Sequence, residues 1–135
     1  MKLPKEIQSA LNGVIPSTMA TCSKDGIPNV GFISQVFYVN EEQVAISHQF
    51  FSKTSQNLQE NPKAHIQVVE PGDGTPWFLD VSFSHKETSG DLFDQMDMQL
   101  EAIASMCGME DIFHLEAAYV FDVISVRKGE EAQIH

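Results

Sequence analysis

Positive charge is what this chain has least of. Its 135 residues carry 8 Lys and Arg against 19 Asp and Glu, a formal net charge of −11 at pH 7. A field of that sign repels a phosphate backbone, so general nucleic-acid binding is disfavoured. A site for a small anion would have to be built locally, from backbone N–H groups and a few cations. Cysteine is scarce as well. Cys22 and Cys107 stand far apart, in neither CxxC nor zinc spacing, and read as buried free thiols of a reducing cytoplasm. No apolar run approaches membrane length, and the N-terminal "MKLPKEIQSALNG" has no hydrophobic signal core. The expectation is a cytoplasmic protein with no membrane and no nucleic acid among its partners. The G-x-S-x-G elbow, the P-loop and the dinucleotide fingerprint are missing too. No two of the five histidines stand at zinc-ligand spacing on one element, so no metal is expected.

What is present suffices for one domain over residues 1–135. Hydrophobic residues make up 42% of the chain, too many for disorder. "PKEIQSAL" predicts a short helix and "STMATCS" a strand, with "KDG" as a tight turn. "NVGFISQVFYV" predicts one long strand, apolar on both faces, and "NEEQ" turns it into "VAISH". "SKTSQNLQEN" predicts a helix that Asn61-Pro62 ends, because a residue before proline disfavours helical dihedrals. "AHIQVV" and "WFLDVSFSHKE" are strands about the turn "PGDGTP". The second alternates, with Trp77, Leu79, Val81 and Phe83 on one side and Asp80, Ser82 and Ser84 on the other. In "SGDLFDQMDMQLEAIASMCGM" the period becomes helical, with Ser89 or Asp91 as cap and a Met-rich stripe assigned to the core. "AAYVFDVISV" closes the chain as a strand. The class is mainly β, six antiparallel strands forming a small closed barrel with helical additions; an orthogonal sandwich is the neighbouring solution.

Three features carry candidate chemistry. Ser52, Lys53 and Thr54 open a helix directly after a strand, and between Lys24 and Lys63 no other Lys or Arg occurs. A helix N-terminus with an ammonium and two hydroxyls suits a phosphate; the competing reading is an ordinary cap with a solvated lysine. Gly31, Ser34 and Gln35 interrupt an apolar strand, either for backbone packing or for edge hydrogen bonds to a planar heterocycle. His48 leads into the lysine loop and either lines a cleft or serves as a structural histidine. Asp91, Asp94, Asp97 and Glu101 read as a solvated helix face, because their spacing is the helix's own and not a calcium loop's.

The runs "ATCSKDGIPNVGFISQVFYV" and "HQFFSKTSQNLQENPKAHIQV" resemble the flavin-binding split β-barrels related to pyridoxamine 5′-phosphate oxidase. The similarity is closest to the small flavin-nucleotide-binding branch. The K-T-x-x-N-L-x-x-N-P pattern from Lys53 to Pro62 is its most specific part. The resemblance implies a homodimer holding FMN non-covalently at its interface. The phosphate would sit on Ser52, Lys53 and Thr54, with Asn57 nearby. The ring would lie along Ser34, Gln35 and Val36, and Ile46, Ser47 and His48 would flank the ribityl chain. The implied function is a flavin-dependent oxidoreductase or electron carrier. The alternative is a non-catalytic sensor module holding flavin or haem on the same fold. The oxidase branch grips its substrate with extra arginines; this chain has only Arg127, so the resemblance does not extend to that activity. Helix 90–108 either covers the barrel or builds the dimer contact.

Overall fold

The computed structural model describes residues 2–11, 15–33, 36–48, 52–106, 115 and 117–129, with side chains covered except at 48, 52 and 103–106. A 3₁₀ turn, Lys5–Ile7, runs into α1, Gln8–Leu11. Strands β1 (Ser17–Cys22), β2 (Pro28–Ile33), β3 (Phe37–Asn40) and β4 (Gln43–His48) follow. Then come α2 (Ser52–Glu60), β5 (Lys63–Val69), β6 (Pro76–Glu87), α3 (Asp91–Met106) and β7 (Ala117–Lys128). The seven strands form one sheet in the order β2-β1-β5-β6-β7-β4-β3, and every pairing is antiparallel.

The strand order explains the closure. Strands β2 and β3 are consecutive in the chain, yet they stand at opposite ends of the sheet. From Ile33 to Phe37 the chain can reach at most about 14 Å. A flat seven-stranded sheet would hold its edges about 29 Å apart, six spacings of about 4.8 Å each. The sheet therefore curls into a barrel. The six-strand expectation is corrected here. "NVGFISQVFYV" is two strands, because its first part pairs with β1 and its last part with β4. Nor is it buried on both faces: Val30 and Phe32 are exposed on β2.

The barrel interior is packed with Met19, Val44, Ile46, Ile66, Val68, Leu79, Val81 and Phe121, all 2% exposed or less. Leu3, Ile7, Ala10 and Leu11 of the N-terminal segment join this cluster, and so does Leu58 of α2. A second cluster lies on the other face of β4 and β7, where Ala45, Ala118 and Val120 meet Met96 and Leu100 of α3. Two-sided burial is why "VAISH" and "AAYVFDV" lack simple alternation. The longest helix thus covers the barrel, the first of the two roles expected for it. Gly90, with φ at +103°, precedes Asp91 and accepts from the Asp94 N–H at 2.9 Å, so neither Ser89 nor Asp91 is the cap residue. The Met stripe divides: Met96 is fully buried and Met98 is 69% exposed. Cys22 is half-buried, because it takes an outward position on β1, and Cys107 lies outside the described residues. Among the described residues no helix is long and apolar enough to cross a membrane.

Met96→Ala should cost about 2–5 kcal/mol of unfolding free energy, whereas Met98→Ala, two residues along, should stay within about 0.5 kcal/mol. Urea titration of both variants checks whether α3 packs through the face described.

Candidate functional site

The chain supplies α2 with one inward face. Thr54, Asn57 and Leu58 are buried at 5%, 0% and 4% exposure, at helical spacing i, i+3, i+4. Leu58 enters the barrel cluster, while the two polar side chains meet the β1–β2 hairpin. Asn57 Nδ2 donates to Thr21 Oγ1 at 3.1 Å, and Asn29 Nδ2 lies 3.4 Å from Thr54 Oγ1. Thr21 and Asn29 are themselves cross-strand partners. A quartet of two hydroxyls and two amides therefore joins helix to hairpin. On its other flank, Ser55 Oγ lies 2.7 Å from the Tyr119 hydroxyl, which ties α2 to β7. The helix ends where Asn61 N–H donates to Asn57 O at 2.7 Å, and Pro62 follows.

The quartet is not saturated. Asn57 Oδ1 is buried with no hydrogen-bond partner among the described residues. Exchanging its O and N would satisfy the oxygen through the Thr21 hydroxyl and leave the nitrogen bare, so half of this amide stays unmatched either way. Gly31 faces the Thr54 hydroxyl, where an added Cβ would stand 3.9 Å from Oγ1. Lys53 is exposed, and no ion pair joins it to a described acidic residue. The first turn of a helix has N–H groups without intrahelical partners and a partial positive charge. An exposed ammonium, a buried hydroxyl and such a turn are a donor set whose chemistry suits a phosphate.

The sequence-derived residues separate into groups. Thr54 and Asn57 belong to the quartet, and Lys53 stands beside it. Ser52 is the first residue of α2, inside the helix and not its cap. Val36 and Ile46 are neighbours in the barrel cluster, each 1% exposed, so their side chains face the core. Ser47 is buried and already bonded. His48 pairs through its backbone with Ala117, at the end of β4 nearest α2. Ser34 and Gln35 lie outside the described residues.

A sequence reading missed Thr21 and Asn29, the residues that hold Thr54 and Asn57. The available signal was the hairpin itself: a turn at "KDG" puts both on paired strands. It also missed an outer cluster on β5, β6 and β7. There His65 Nδ1 lies 2.8 Å from Asp80 Oδ1, and Ser125 Oγ donates to Asp80 Oδ2 at 2.8 Å. A carboxylate only accepts, so Nδ1 carries the proton. Arg127 lies 4.7 Å from the centre of the Phe78 ring, on which His65 stacks. Among the described residues no group of three or more His, Cys, Asp or Glu could hold a metal ion.

The seven antiparallel strands curl into a split barrel with α2 seated on the β1–β2 hairpin. The family model for pyridoxamine 5′-phosphate oxidase matches residues 3–123, and the chain belongs to that family. An uncharacterized protein of Methanocaldococcus jannaschii is 38% identical over 75 residues, 54% of this chain and 50% of that protein. The chain thus spans about half the length of this curated relative. Among solved structures, an FMN-binding protein of Syntrophomonas wolfei superposes with a TM-score of 0.76 at 19% identity, covering 92% of this chain and 86% of that one. HutZ, a haem storage protein of Vibrio cholerae, superposes with a TM-score of 0.62 at 21% identity, covering 96% of each chain. At these identities the two structures establish the split-barrel fold.

The His65 bond, then the Ser125 bond, hold the Asp80 carboxyl below its usual range, against a smaller opposing effect of desolvation. A depressed folded value means that the group stabilises the fold above its unfolded pKa, about 3.9, and stops doing so as pH falls through the folded value. Asp80→Asn should therefore lower the urea midpoint at neutral pH, and by progressively less as pH falls below about 4, where the native carboxyl takes up its proton. A gap as large at about pH 2 as at neutral pH would contradict the assignment.

Proposed function

We propose that this chain is an FMN-binding protein that acts as a flavin-dependent oxidoreductase or electron carrier. One observation carries the reading: the donor set of Lys53, Thr54 and the α2 N-terminus. The family match and the superposition on an FMN-binding protein support it. In this reading Lys53 and the first-turn N–H groups grip the phosphate. The Thr21–Asn29–Thr54–Asn57 quartet keeps that turn seated on the hairpin. Ser34, Gln35 and Val36 would border the ring, and the end of β4 at Ser47 and His48 would flank the ribityl chain. Bound FMN would supply hydride or electron transfer at its isoalloxazine, with the protein setting orientation and potential. The setting is the cytoplasm, where Cys22 remains a thiol.

The same reading makes the protein a homodimer. Phe32 and Val30, 82% and 68% exposed, stand on one face of edge strand β2, and Ile27 beside them is 58% exposed. Exposed apolar rows of this kind mark association surfaces. Phe32→Lys should convert a dimer into a monomer in analytical ultracentrifugation; a sedimentation coefficient unchanged by the substitution would move the interface elsewhere.

A second reading, a cofactor-holding module without turnover, draws on the likeness to a haem storage protein. The absorbance of the purified protein separates the two cofactors: flavin bands are expected, and a Soret band would favour haem. For the leading reading, Lys53→Ala should weaken FMN binding about 10- to 150-fold, the loss of one charge-assisted phosphate contact. Fluorescence titration with FMN measures it, and an unchanged affinity would remove Lys53 from the site.

A further inference from the structure

On the flank of α2 opposite the quartet, a cavity of about 190 Å³ opens between the helix and strands β6 and β7. Ser55, Leu58, Gln59, Phe83, Lys86 and Tyr119 line it. Its body is apolar. Leu58 is 4% and Tyr119 5% exposed, and Phe83 meets Tyr119 edge-on at 5.0 Å and 82°. Phe83 also meets Phe121 edge-on at 5.6 Å and 75°, so the ring is held from behind. The polar groups stand at the edges: the Ser55–Tyr119 hydroxyl pair on one side, the exposed Gln59 amide and Lys86 ammonium at the mouth.

The charge at the mouth is uncompensated. No ion pair joins Lys86 to a described acidic residue, and the adjacent Glu87 is turned to His85, 3.0 Å from Nε2. In a chain of net charge −11, a cation beside an apolar hollow is a local reversal of sign. An apolar cavity of about 150 Å³ accommodates benzene. The 190 Å³ here leaves room for one ring and one small substituent. We infer that this cavity binds a small aromatic carboxylate, its ring against Leu58 and Phe83 and its carboxylate at Lys86. The cavity lies toward β7, where Ser55 meets Tyr119, whereas Thr54 of the candidate phosphate site meets Asn29 on β2.

Benzoate is the probe, with benzamide as its uncharged counterpart. Both are titrated against the purified full chain by ligand-observed NMR, with and without saturating FMN. Lys86→Met keeps the apolar stem, removes the charge and alters an exposed position, so folding is not at issue. Benzoate affinity should fall about tenfold in Lys86→Met while benzamide binds both proteins alike, since the lost contact is the charge-assisted one. Added FMN should leave benzoate binding unchanged. Benzoate that does not bind, that binds Lys86→Met equally well, or that FMN displaces would overturn the assignment. Failure of the FMN reading would leave these outcomes untouched.

Discussion

Three residues between β2 and β3 constrain the whole molecule. Strands that occupy opposite ends of a seven-stranded sheet are joined by a link that cannot bridge a flat one. Curling the sheet brings both edges together and creates an interior that must be filled. Met19, Ile66, Leu79, Val81 and Phe121 fill its middle, the N-terminal segment contributes Leu3 to Leu11, and α2 contributes Leu58. The helix that carries the candidate site is therefore part of the barrel's packing. Its position is fixed by burial, and its polar groups inherit that fixity.

This resolves an electrostatic difficulty. A chain of net charge −11 offers a poor long-range field for an anion. The α2 N-terminus compensates over a few ångströms, with peptide dipoles, one unpaired lysine and a hydroxyl held at 5% exposure. Thr21 and Asn29 matter because they seat the helix without adding charge. Lys86 on the other flank repeats the principle on a smaller scale. In the proposed readings both act at short range in a repulsive surround, each holding its ligand's charge against one cation.

The sequence made the helix and its stop legible, because Asn61-Pro62 punctuates strongly. The alternation from Trp77 to Val81 was equally legible, since it reports one buried face. What failed did so for a common reason. "NVGFISQVFYV" read as one strand because both its parts are extended, and only pairing partners distinguish them. Met98 and Cys22 looked like core by residue type, but their sides of the helix and strand face outward. The partners Thr21 and Asn29 were hidden because a contact between residues 21 and 57 has no local signature. The His65–Asp80–Ser125 cluster is hidden for the same reason, being assembled across three strands.

A phosphate held at the α2 terminus would show itself first in the comparison of FMN with riboflavin. The two share the ring and the ribityl chain and differ only in that group. Titrated against the same protein, FMN should bind at least about tenfold more tightly, with a preference that shrinks as salt is raised. Equal affinities, or a preference insensitive to Lys53→Ala, would contradict the account and return Lys53 to the solvent.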